Sequence, residues 1–367
     1  MAYQTEPPFR HDQTARTAIL LINLGTPAAP TAAAVRPYLR QFLSDPRVIE
    51  IPRPLWLPIL YGAILTTRPA KSAAKYATIW GRDGSPLAVY TRNQAKLLQG
   101  YLGDRFKQPI RVDYAMRYGE PNIAARIMAL KSEGCERLLV LPLYPQYAGS
   151  STGSAMDAVY AAMQTLRNPP ELRLIKHFHD HPAYIEALAR RIETHWQRNR
   201  QGDHLLMSFH GVPRFTLSKG DPYHCECHKT ARLLAERLGL PTTRYSVAFQ
   251  SRFGRAEWLK PYTSAVLAEL GKQKVGKLDV VCPGFISDCL ETLEEIAIEG
   301  KADFLRHGGG DYRYIPALNA EPDAISALAS VIVPHLGGWL DPNWNADADA
   351  KLSRERANRA KQMGASQ

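Results

Sequence analysis

Short, nearly uniformly apolar runs recur along the chain, each followed by a segment whose apolar residues repeat at helical spacing. TAILLINLGTP (17–27) and IRVDYAMRYGEP (110–121) come first, the second leading into PNIAARIMALKSEG; RLLVLPLYPQY (137–147) leads into SAMDAVYAAMQTL. LRLIKHF, HLLMSFHGVP, YSVAFQSRFG and KLDVVCPGF continue the series between 172 and 285. A strand with one wet face alternates apolar and polar residues, whereas strands covered on both faces are apolar throughout, as in parallel sheets between helical layers. The halves echo one another: each has a strand ending in Gly and Pro (NLGTP, FHGVP), then two more, the last ending in a Pro-containing turn (LYPQY, CPGF). The pattern predicts an α/β protein of two doubly wound, Rossmann- or flavodoxin-like parallel-sheet domains with a cleft between them. They are expected at 17–165 and 166–320, divided around RNPPEL, after a flexible N-terminus (1–16). A C-terminal helix and polar tail are expected at 321–367.

Composition narrows the classes. The chain has 367 residues, too many for one ordinary core, and its 45% hydrophobic and 22% charged residues exclude a disordered or fibrous protein. Lys and Arg number 46 against 35 acids, a formal charge of +11 that suits phosphate backbones, anionic lipid or carboxylate-bearing substrates. Five cysteines make no disulfide framework and suit a reducing compartment. The first sixteen residues lack the pattern of a secretory signal. The longest apolar stretch, near 52–69, is broken by Pro54 and Pro58 and falls short of the ~20 residues of a spanning helix. A soluble protein, or one resting on a membrane, is expected.

In doubly wound sheets chemistry gathers beyond the carboxyl ends of the strands. His210 ends MSFHGVP there, either as metal ligand or proton acceptor, or as a hydrogen-bonded structural histidine. After CPGF, Asp288, Glu291, Glu295 and Glu299 fall at spacings that would align them on one α-helical ridge. That ridge is either a solvated face or a line of carboxylates for a cation or for protons. His224, Cys225, Cys227 and His228 lack the second pair that structural zinc uses, and the cysteines are expected to begin a helix. The hydroxyls of YPQYAGSSTGS could hold an anion or simply cap a helix. No GxGxxG opens a helix after a strand and no Walker motif is present. HGGGDYR (307–313) is a loop leading into a strand. LWLPILYGAIL is either core or an exposed lip that would grip a flat apolar ligand and touch a bilayer, with Arg68, Lys71 and Lys75 following to meet carboxylates.

SFHGVPRFTLSKGDPYHCECHKT closely resembles the signature of the ferrochelatases, which insert ferrous iron into protoporphyrin IX. LLINLGTP, IWGRDGSPL, YAMRYGEPNI, LPLYPQYAGSSTGS, FQSRFGRAEWLKPYT and GFISDCLETLEEIAIEG resemble further blocks of that family in its order, over roughly 17–300. The resemblance implies a chelatase-like pair of α/β domains with porphyrin in the cleft. It implies His210 and Glu291 as catalytic and metal-contacting residues and Glu295 as a second acid. It further implies Leu24, Arg117, Tyr118, Tyr147, Gln250, Ser251 and Trp258 around the macrocycle; Arg68, from its place after the lip, is the cation expected to meet the substrate's carboxylates.

Animal and some bacterial relatives carry a [2Fe–2S] cluster on four cysteines. Here no cysteine follows Cys289, and Gly149 stands where the animal enzymes have a cysteine ligand, so no cluster and no other cofactor is expected. Cys289 stands where those relatives have a histidine. Protoporphyrin IX and ferrous iron are the expected partners, with a product of protoheme. Coproporphyrin III is the alternative substrate, and a non-catalytic tetrapyrrole or metal carrier the alternative function. No nucleic-acid partner is expected, since the basic residues are dispersed and no helix-turn-helix, zinc-finger or RRM motif accompanies them. A cytoplasmic monomer is expected, in peripheral contact with an anionic inner-membrane surface where the lip is exposed.

Overall fold

The computed structural model describes residues 3–254 and 256–365. Eight strands form two sheets of four. The first contains β1 (Arg16–Gly25), β2 (Ile110–Tyr118), β3 (Cys135–Pro142) and β4 (Glu171–Leu174) in the order β2-β1-β3-β4. The second contains β5 (His204–His210), β6 (Tyr245–Gln250), β7 (Lys277–Val281) and β8 (Asp311–Tyr314) in the order β6-β5-β7-β8. Every pairing is parallel. The order is the same in both, so the echo between the halves is an echo of topology. In each sheet the chain leaves the first strand on one side and returns on the other. The crevice this opens lies at the end of β1 in one sheet and of β5 in the other.

Uniformly apolar strands follow from helices on both faces. Along β1, Ile19 and Leu21 join one buried cluster while Ala18, Leu20 and Ile22 join another, because successive side chains point to opposite faces. All five are fully buried; each large aliphatic side chain so placed contributes about 1.5–3 kcal/mol. The cluster holding Ile19 also holds Leu205, Met207 and Phe209 of β5, so one continuous core joins the two sheets. The helix Pro322–Ile332 completes it, packing on both Pro86–Arg105 and Pro182–Asn199.

Two boundaries differ from the sequence expectation. β4 lies beyond the 165/166 division, yet it pairs with β3 and closes the first sheet; its four residues are too short to show which sheet they serve. Before β1, the stretch expected to be flexible is tied down: Glu6 pairs with Lys131 at 2.6 Å and the Gln4 N–H donates to the Thr165 carbonyl at 2.9 Å. The polar end forms the exposed helix Ala346–Gln362, capped by the Asn345 side chain accepting from the Ala348 N–H.

Candidate active site

His210 is the last residue of β5 and half-buried. The next residue must be glycine: a Cβ at Gly211 would lie 2.8 Å from the Gln250 carbonyl oxygen and 3.0 Å from the Trp258 ring. That close approach clamps the strand end against the Trp258 segment, and the His210 ring sits 6.4 Å from those of Trp258 and Phe285. The His210 Nδ1 lies 2.6 Å from the Gly211 carbonyl. A carbonyl oxygen only accepts, so Nδ1 carries the proton and Nε2 keeps its lone pair for a metal or a proton.

Gln250, the register partner of His210, is buried. Its Oε1 accepts from the Ser208 hydroxyl at 2.7 Å, and its Nε2 donates to the Glu291 carbonyl at 2.8 Å. It thereby ties the end of β5 to the start of the acidic helix. Ser251 has a φ of +65°, a left-handed conformation uncommon outside glycine. In that conformation its N–H and hydroxyl both donate to Glu295, at 2.6 and 2.5 Å. Burial raises the Glu295 carboxyl pKa above its ordinary value; Ser251 and His210 pull it back part of the way, and the neighbouring Glu291 pushes it up.

The acidic segment is not the ridge that α-helical spacing predicts. Glu291–Gly300 is a π-helix, whose i→i+5 bonding widens the turn and moves every side chain off the expected line. Glu294 and Glu299, five residues apart, meet on one face and share Lys75 at 2.9 Å each. Glu295 turns to Ser251. Asp288 precedes the helix and is buried, accepting from the Tyr314 hydroxyl at 2.5 Å, the Asn319 amide at 2.7 Å and Thr292 at 3.0 Å.

The first domain supplies the facing wall. Leu24 lies at the end of β1, and with Tyr38, Tyr76, Cys289 and Glu291 it lines a small cavity of about 10 Å³, room for roughly one water. Burial, with the Glu291 charge beside it, raises the phenol pKa of Tyr76. Leu24, His210, Gln250, Ser251, Trp258, Glu291 and Glu295 thus gather around the two strand-end crevices.

Four other expected residues make contacts of their own. Arg117 reaches Asp45 at 2.5 Å and the Ser154 hydroxyl at 2.7 Å, and the Tyr118 hydroxyl donates to Asp45 at 2.8 Å. This is a nearly buried polar knot inside the first domain. The Tyr147 N–H donates to Glu226 at 2.7 Å, and its ring lies 4.7 Å under the Lys176 ammonium. Arg68 is exposed and forms no ion pair among the described residues. Sequence reasoning missed Asp45, Tyr38 and Tyr76, for which no local motif speaks. The turn after Tyr147 also resolves: the Gly149 N–H donates to Asp221 at 2.7 Å, so the protein's own carboxylate takes the place offered to an anion.

The apolar lip divides between the two readings it allows. Leu60 and Leu65 are buried and the Trp56 indole donates to the Leu43 carbonyl at 2.6 Å, whereas Leu55, Ile59 and Tyr61 are 65%, 48% and 53% exposed. Among the described residues no helix is long and apolar enough to cross a membrane.

Paired four-stranded parallel sheets with a histidine at the second crevice define a chelatase fold. The chain is similar in structure to SirB from Bacillus subtilis with Fe3+ (TM-score 0.52, 12% identity, 89% of this chain and 100% of that one). The sirohydrochlorin chelatase SirB from Bacillus subtilis subspecies spizizenii in complex with cobalt is similar too (TM-score 0.50, 12% identity, again 89% and 100%). These likenesses speak for the fold. The chain belongs to the ferrochelatase family, whose sequence model matches residues 16–336. It is 60% identical over 364 residues to the ferrochelatase of Chromobacterium violaceum, covering 99% of this chain and 98% of that one. It is 59% identical over 355 residues to that of Azoarcus sp., covering 97% of each.

Proposed function

We propose that this porphyrin metal chelatase inserts Fe²⁺ into protoporphyrin IX to give protoheme, the last step of heme biosynthesis. Two pyrrole N–H bonds break, each electron pair stays on its nitrogen to bond iron, and two protons leave. The protein must receive those protons and hold the macrocycle where its lone pairs meet the metal. The observation that carries this reading is the Nδ1–H bond of His210 to the Gly211 carbonyl, which leaves Nε2 as the free base or ligand. Glu291 partners it, and Glu295, with its raised pKa, passes protons onward. Leu24 and Trp258 flank the ring.

The enzyme works as a monomer in the cytoplasm, both walls of its site coming from one chain, with the exposed part of the lip against an anionic membrane surface. It needs no cofactor. Anaerobic Fe²⁺ insertion, followed by loss of porphyrin fluorescence, tests the assignment. His210→Ala and Glu291→Gln should each lower the rate about 10²–10⁴-fold while porphyrin still binds. Full turnover in either variant removes that residue from the mechanism. Coproporphyrin III offered alongside protoporphyrin IX should turn over more slowly.

A further inference from the structure

Among the described residues, one group of metal-ligating side chains gathers outside this site: His177, His179 and Glu226, whose ligand atoms all lie within 4.8 Å of one another. Three local features bring them together. After β4 the chain stays extended beside β3, with the Ile175 N–H donating to the Val140 carbonyl at 3.0 Å. In extended chain residues i and i+2 share a face. Phe178 is buried in the core, and across it the His177 and His179 rings come together, their centroids 4.9 Å apart. Glu226 is in the first turn of the helix Tyr223–Arg237, which the Thr230 hydroxyl ties to the loop by donating to the His179 carbonyl at 2.8 Å.

The donors face one carboxylate. The His177 Nδ1 lies 2.6 Å from Glu226 Oε1, and the His179 Nδ1 lies 3.3 Å from Oε2. Oε2 also accepts the Tyr147 N–H, which fixes the carboxylate plane as outer partners of a metal ligand do. His179 is only 5% exposed, and its Nδ1 has no hydrogen-bond partner although it is aimed at the carboxylate. Burial lowers the pKa of His179; Glu226 and Asp180 oppose this, while His177 and Lys229 add to it. A tetrahedral ion at ~2.1 Å from each ligand sets neighbouring donors roughly 3.4 Å apart. The His179–Glu226 spacing already fits, and the His177 contact needs to open by about 0.8 Å to match that geometry. His177 is exposed and free to do so, leaving room for water to complete the coordination.

We propose that His177, His179 and Glu226 form a second metal site, taking a first-row divalent cation on two imidazoles and one carboxylate. The donors suit zinc or cobalt, since imidazole nitrogen favours such ions over magnesium or calcium. The ion staples the loop after β4 of the first sheet to a helix of the second domain.

Equilibrium dialysis against Zn²⁺, with thermal unfolding in Zn²⁺ and in EDTA, tests this on the full chain. His177→Asn changes an exposed side chain and should leave the circular dichroism spectrum unaltered. It should weaken one class of Zn²⁺ site by about 10–100-fold and abolish the part of the zinc-induced rise in unfolding temperature that survives in His210→Ala. Glu226→Gln, which keeps the side-chain shape, should do the same. Co²⁺ titration should give a visible d–d band that is lost in His177→Asn and kept in His210→Ala. Zinc stoichiometry unchanged in both His177→Asn and Glu226→Gln, or a wild-type stoichiometry that depends on His210 alone, overturns the proposal and leaves a hydrogen-bonded His–Glu pair only. The His177 result does not depend on the role of His210, so the two readings fail separately.

Discussion

Glu295 is held by burial with a proton affinity above that of a free carboxyl, whose ordinary value is 4.5. A raised folded-state pKa means that the native chain keeps a proton the unfolded chain releases as pH rises through 4.5. The stability it contributes is complete below that value and is lost as pH climbs through the folded-state pKa. Glutamine cannot titrate and can still accept the Ser251 N–H. The unfolding free energy of wild type minus that of Glu295→Gln should therefore fall as pH rises from 4.5 toward neutrality. Urea unfolding of both proteins across that range measures it, and a difference that rises with pH would contradict the assignment. At this scale the candidate site was partly legible. His210 stands in one family block, and Glu291 and Glu295 in another. What each carboxylate touches was not, because Ser251 reaches Glu295 across 44 residues of chain.

The acidic segment shows what an element can hide. Asp288, Glu291, Glu295 and Glu299 fit an α-helical ridge as letters, and the π-helix redistributes them: Glu299 joins Glu294 at Lys75, Glu295 turns to Ser251, and Asp288 is left outside in its own network. Periodicity assumes a pitch, and a π-helix changes the pitch without changing composition. Arg117 and Tyr118 carry a second lesson. They fall in a block associated with the cleft, yet their partner is Asp45, just past the helix Ala32–Leu43. Burial by itself would raise the Asp45 pKa, but hydrogen bonds from Ser154, Tyr118 and the Arg47 N–H, with the Arg117 charge, bring it below the ordinary value. Asp45→Asn leaves Arg117 largely buried and unpaired, and should cost about 3 kcal/mol of stability. Chemical denaturation at neutral pH would show it, and the loss should shrink on acidification as wild-type Asp45 takes up a proton. A loss under ~0.5 kcal/mol, the scale of ordinary surface substitutions, would mean the knot is not structural.

Across the whole molecule, the proposed membrane contact rests on the +11 charge and the exposed part of the lip. Leu55, Ile59 and Tyr61 project from a base that Leu60 and Leu65 anchor in the core, so apolar side chains are offered to a surface without loosening the fold. Wild type should float with vesicles containing anionic lipid at low salt, and Leu55→Ser with Ile59→Ser should reduce that binding severalfold while iron insertion into detergent-dispersed porphyrin persists. Failure of the wild type to float removes membrane contact from the proposal.

By itself the sequence determined the architecture and the family. Strands apolar on both faces need helices on both faces, and signature residues close together in the chain keep their neighbours however it folds. Tertiary structure alone decided which sheet owns the short β4, which half of the lip is core, where the acids of the π-helix turn, and that His177 and His179 meet Glu226. Each of these depends on partners tens to hundreds of residues away, and a local pattern carries no record of which distant surface will cover it.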